Sequence, residues 1–198
     1  MGMKSKRLGK GFEYEIRDIL REATGDNSFE RVPNSGAYFG GANKVRAETA
    51  RDDLVEIMSG DLICPPGWRW VCECKNHEDV PYHQLFLGSG CKMIDEFLQQ
   101  VNQDAETSGK EPLLFMKLRR KGWKLPAKVK KELQTADIKI PQGNSNTIGI
   151  LVAERSDYCD ITGVNHIMYT GPLDENTCAT WYFFDLENWL EHVIERTK

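Results

Sequence analysis

Residues 9–23 place Phe12, Ile16, Ile19 and Leu20 on one helical face with charged side chains elsewhere, the spacing of an amphipathic helix laid on a core. Ser28–Val32 then reads as a short strand. Residues 33–43, PNSGAYFGGAN, hold too much Gly, Asn and Pro to be anything but a loop, and residues 45–58 allow a second short helix. Two extended runs follow, Asp61–Cys64 and Trp68–Lys75, separated by Pro65, Pro66 and Gly67, and this pattern predicts a β-hairpin. Met93, Ile94, Phe97, Leu98 and Val101 recur at helical spacing within Cys91–Ala105. Pro112–Leu118 is a continuous apolar run of the kind found in an inner strand. Strand, helix, strand predicts a right-handed parallel crossover, so the fold class is α/β. Ile148–Ala153, His166–Tyr169 and Thr180–Phe184 are further strands. Leu186–Arg196 closes the chain as a helix with Leu186, Trp189, Leu190 and Val193 on one side.

Composition adds limits to this outline. With 198 residues, 40% of them hydrophobic, and no repeat, low-complexity tract or linker, one domain over 1–198 is expected. No run approaches the roughly 20 apolar residues of a membrane helix, and the basic start MGMKSKRLGKGFEYE lacks the apolar region of a secretory signal. A soluble, cytoplasmic protein is the expectation. Six cysteines stand at 64, 72, 74, 91, 159 and 178 without a CxxC pair, which points to reduced thiols and away from a structural zinc site.

The net charge of −4 conceals a segregated distribution. Residues 1–10 carry Lys4, Lys6, Arg7 and Lys10 without an acid, and residues 117–131 carry Lys117, Arg119, Arg120, Lys121, Lys124, Lys128, Lys130 and Lys131, again without one. Both runs are candidate phosphate-contacting surfaces, Lys6, Arg7, Lys10, Arg119, Arg120 and Lys121 in particular; merely solvated faces are the alternative. From Glu154 onward acids dominate, so that end is expected to face away from a polyanion.

Candidate chemistry gathers on the predicted hairpin. The strand period of two puts Glu73 and Lys75 on one face and Trp70, Cys72 and Cys74 on the other, while the short turn brings Asp61 beside the Glu73 strand. Two carboxylates and a lysine would then converge, which suits phosphodiester hydrolysis assisted by a bound cation. Taken alone, Glu73 and Lys75 could equally be an ion pair on a solvated sheet face.

The order of short motifs changes that balance. Gly11 to Glu15 (G-x-x-x-E), Arg31 to Gly36 (R-V-P-N-S-G), Gly60 to Ile63 (G-D-L-I) and Glu73 to Lys75 (E-C-K) together resemble the PD-(D/E)XK nucleases, and among them the archaeal Holliday-junction resolvases and their phage-encoded relatives. The likeness covers about residues 8–125. It leaves an insertion at 37–59 and a C-terminal extension from about 135 to 198 without a counterpart.

The resemblance implies a restriction-endonuclease-like core, a central mixed β-sheet flanked by helices. It implies that Asp61, Glu73 and the backbone carbonyl of Cys74 bind Mg²⁺, with Mn²⁺ able to substitute, and that Lys75 orients or activates the attacking water. A helix acid completes the site. Helical geometry leaves Glu13 and Glu15 both open, and the family's spacing after the glycine selects Glu15. Arg31 and Ser35 would contact a phosphate, or else stabilise their loop. The implied activity is metal-dependent DNA endonuclease, as a homodimeric resolvase of branched DNA in the cytoplasm, the host's if the chain is phage-encoded. A nickase or other DNA-processing nuclease is the alternative, and a silent DNA-binding recombination scaffold is the alternative of another class. His77 and His83 lie near the lysine but are not needed as bases. Tyr82, His83 and Gln84 are candidates to touch DNA near the cut, and Trp123 is either a stacking residue or core.

Overall fold

The computed structural model describes residues 3–33, 52–78, 80–81, 84–85, 90–119, 128, 131, 135, 147–157, 165–174 and 176–191. Along these residues run α1 (Met3–Thr24), β1 (Glu30–Arg31), α2 (Asp52–Met58), β2 (Leu62–Ile63), β3 (Trp70–Glu78), α3 (Lys92–Ser108), β4 (Glu111–Arg119), β5 (Thr147–Arg155), β6 (Ile167–Pro172), β7 (Cys178–Asp185) and α4 (Leu186–Trp189). Five strands form a mixed sheet in the order β3-β4-β5-β7-β6, and β1 and β2 form a separate two-stranded ladder. The chain divides into two compact units, Met1–Cys74 with Gln100–Leu113, and Lys75–Gln99 with Leu114–Lys198.

In the first unit α1 extends the predicted helix toward the N-terminus and buries Phe12, Ile16 and Leu20 almost completely. It ends where the Thr24 hydroxyl donates to the Leu20 carbonyl at 2.7 Å and Gly25, with φ +72°, donates its N–H to the Arg21 carbonyl. A left-handed residue just past the last turn satisfies carbonyls that would otherwise be orphaned, and glycine adopts it without penalty. Phe29, Val32, Trp70, Val71 and Cys72 are also buried in this unit, with Trp68 edge-on to Phe29.

The predicted hairpin takes a different form. Instead of laddering with β3, β2 pairs antiparallel with β1, Glu30 opposite Ile63 and Arg31 opposite Leu62. After β2 the chain passes through Pro65 and Pro66 as a turn, closed by the Trp68 N–H on the Pro65 carbonyl, and enters β3 afresh. Contact between the two runs survives at Asp61, whose N–H donates to the Cys72 carbonyl at 2.8 Å.

The second unit contains the antiparallel part of the sheet, with Leu151 to Arg155 of β5 opposite Asp185 to Trp181 of β7, and Ile167 to Pro172 of β6 opposite Phe183 to Cys178. Asp174 shapes the β6–β7 turn by accepting from the N–H groups of Asn176 and Thr177 and from the Thr177 hydroxyl. Tyr169 of β6 is bolted to the start of α3: its hydroxyl donates to Asp95 at 2.6 Å and accepts the Cys91 N–H at 2.9 Å. All three strands expected after residue 147 are present and longer than predicted. The closing helix is described to residue 191, so its expected extent to Arg196 lies partly outside the described residues.

Candidate active site

Asp61 is fixed by three hydrogen bonds. Its N–H reaches the Cys72 carbonyl at 2.8 Å, its carbonyl accepts the Val32 N–H at 2.9 Å, and its Oδ2 accepts the Cys74 N–H at 2.9 Å. Gly60 makes this docking possible. Its φ is +75°, and a Cβ there would stand 2.7 Å from the Cys72 carbonyl oxygen and 2.8 Å from a Val71 methyl, so only a glycine lets the chain lie this close to β3.

Glu73 follows on β3 and is only 3% exposed. Its Oε1 accepts a 2.6 Å hydrogen bond from the Gln100 side-chain amide on α3. Lys75, two residues on and hence on the same face of β3, has its ammonium nitrogen 5.7 Å from the centre of the Phe97 ring. Gln100 was not foreseen; standing three residues after Phe97, it lies at the border of the apolar face of α3, where a polar side chain can reach a neighbouring strand.

Of the two candidate acids on α1, Glu13 is the more buried. Its carboxylate is ion-paired to the Arg31 guanidinium and its residue is 8% exposed, whereas Glu15 is half-buried. Burial, reinforced by the charge of Asp61, raises the Glu13 pKa, while Arg31 and then Lys10 pull it down. The charge of Asp61 thus acts on Glu13. The same crowding registers on Cys74: burial pushes its thiol well above the usual range, and the negative charges of Asp61, Glu73 and Glu13 push further. Asp61 is held on the Cys74 amide beside buried Glu73, and the charge of Glu13 also acts on Cys74.

Each acid is engaged by a protein partner, Glu13 by Arg31, Asp61 by the Cys74 amide and Glu73 by Gln100. Among the described residues no three His, Cys, Asp or Glu side chains are gathered as a ready ligand set for a metal ion. The donor chemistry nevertheless fits one. Buried carboxylates offer the hard oxygen donors that suit a divalent cation.

Arg7 and Lys10 are exposed on α1. The side chains of Lys6 and Arg119, and Ser35, Arg120, Lys121, Tyr82, His83 and Trp123 altogether, lie outside the described residues. His77 is tilted against the Phe97 ring at 5.2 Å, and burial, with Lys75 nearby, lowers its pKa. Five cysteines, 64, 72, 74, 91 and 178, are described as free thiols.

Residues 4–164 match the family model described as "Phage putative PDDEXK endonuclease". The chain belongs to this family. The expectation of a PD-(D/E)XK nuclease therefore holds, and the mixed five-stranded sheet flanked by helices is consistent with a restriction-endonuclease-like core. The match runs beyond residue 125, where the resolvase likeness fades, into the C-terminal extension. Protein D14 of Escherichia phage T5 is 31% identical over 127 residues, 62% of this chain and 70% of that protein. No solved structure matches. Among the described residues no helix is long and apolar enough to cross a membrane.

Proposed function

We propose that this nuclease cuts the phosphodiester backbone of branched DNA as a homodimeric, divalent-cation-dependent Holliday-junction resolvase. The observation that supports catalysis here is buried Asp61 held on the Cys74 amide of β3, between buried Glu73 and Lys75. The finer substrate, the branched junction, rests on the resemblance that the four motifs carry.

Asp61 and Glu73 would hold the cation, joined by the Cys74 carbonyl. In an extended strand the N–H and C=O of one residue point to the same edge, and the Cys74 N–H points to Asp61. A bound Mg²⁺ or Mn²⁺ supplies charge neutralisation at the phosphoryl oxygens and a lowered pKa for water. Gln100 fixes one oxygen of Glu73, and so sets which way the other faces. Arg31 favours the ionised form of Glu13 and so opposes the effect of its burial. Lys75, on the face of β3 shared with Glu73, would orient the attacking water and offset charge as the phosphorane develops.

The test is cleavage of a labelled four-way junction beside matched linear duplex, single-stranded and flap DNA, with Mg²⁺, Mn²⁺ or EDTA, using wild type and Lys75→Ala. Paired symmetric cuts in the junction that need a divalent ion and vanish in the variant are the expected result. Cuts confined to another DNA would leave a nuclease and remove the resolvase. Binding of all substrates with no cutting would leave only a scaffold.

A further inference from the structure

One stripe of α1 carries Arg7, Lys10, Tyr14 and Arg17 at spacings of three, four and three, all on the same side of the helix. Tyr14 stands out within it. Its side chain is large and aromatic, yet the residue is 44% exposed. The ring is also braced: the Arg17 guanidinium lies 4.8 Å from its centre and that of Arg31 6.0 Å. Arg17 is itself held by Asp18 at 2.8 Å and Glu30 at 3.0 Å, so it does not depend on the ring for its position. Arg31 grips Glu13, which places Tyr14 at the rim of the carboxylate cluster.

A braced, exposed ring among cations has the chemistry of a nucleobase platform. Stacking offers the base an apolar face, and the flanking guanidinium and ammonium groups suit the phosphates on either side. In continuous duplex the bases are already stacked on one another and present only their edges, so such a platform can serve only a base that has left its stack. We propose that Tyr14 stacks on an unpaired base beside the scissile phosphate, and so biases this nuclease toward DNA with unstacked nucleotides. The proposal rests on the DNA-nuclease reading above and adds the residue and the structural feature of DNA that it reads.

The experiment uses the full chain in EDTA, where cutting is suppressed, with two fluorescein-labelled DNAs of the same sequence, one fully paired and one with a short unpaired segment. Each carries 5-iododeoxyuridine at successive positions for photocrosslinking and peptide mapping, and wild type is compared with Tyr14→Phe and Tyr14→Ala. Expected are a crosslink in the Tyr14 peptide from the unpaired segment alone, unchanged affinity for Tyr14→Phe, and a loss of about tenfold for Tyr14→Ala on the unpaired DNA only. Thermal melts establish that the alanine variant is folded. The proposal is overturned if folded Tyr14→Ala binds both DNAs like wild type, if it weakens on both equally, or if crosslinks map elsewhere. Should wild type bind neither DNA, the nuclease reading falls as well; should wild type cut DNA with Tyr14→Ala unaffected, the stacking proposal alone falls.

Discussion

Glu13 and Glu15 flank the same apolar face of α1, next to Phe12 and Ile16, and no helical periodicity separates them. What separates them is non-local: Arg31 on β1 and Asp61 before β2 both act on Glu13. The Glu73–Lys75 relation, by contrast, is legible from the strand period alone, because alternation is a property of the backbone. Glu13→Ala is expected to lower the cleavage rate by roughly 100-fold or more, the scale on which misplaced catalytic groups are felt, and Glu15→Ala to change it only a few-fold, as measured under single-turnover conditions. Equal losses in the two would return the site to the family spacing. Glu13 also makes a prediction for the metal-free protein. Its pKa is raised above 4.5, so in the window above that value the folded state binds more protons than the unfolded state, and stability falls as pH rises through it. Thermal melts in EDTA should show that slope in wild type and a shallower one in Glu13→Gln.

At the scale of elements, the helices and strands were readable because each carries a repeating apolar face, while the pairing of β2 was not. Period-two alternation announces an extended segment but does not name its partner, and here the partner is β1, some thirty residues earlier in the chain. Gly60 was likewise visible only as part of a motif; its necessity comes from the 2.7 Å approach to the Cys72 carbonyl. Gly60→Ala would force a left-handed alanine, costing about 1–2 kcal/mol, and would also push Asp61 away from β3. The expected result is a lower melting temperature together with loss of cleavage. A variant that cleaves like wild type would mean that the docking of Asp61 on β3 is not required.

At the scale of the molecule, the net charge of −4 argues against a polyanion partner until its distribution is read, since the acids from Glu154 onward outweigh a basic beginning. Arg7 and Lys10 are exposed on the helix that also delivers Glu13, so DNA following α1 would reach the carboxylates. Binding is therefore expected to weaken with salt, and Arg7→Ala and Lys10→Ala should each reduce the log–log salt slope by about one, read from anisotropy titrations on wild type and variants. Slopes unchanged in both would move the DNA path off this helix.

The proposed cation-dependent cutting site rests on Asp61 and Glu73. Its most direct test is cleavage of a labelled four-way junction by wild type and by Asp61→Asn, with Mg²⁺ or Mn²⁺ and with EDTA, the variant's fold being checked by its melt. Cutting by wild type that requires the divalent ion, and a fall of roughly 100-fold or more in the folded variant, is the expected result, since removing an electrostatic catalytic group typically has effects of that size. A folded Asp61→Asn protein that cuts at the wild-type rate would contradict the account.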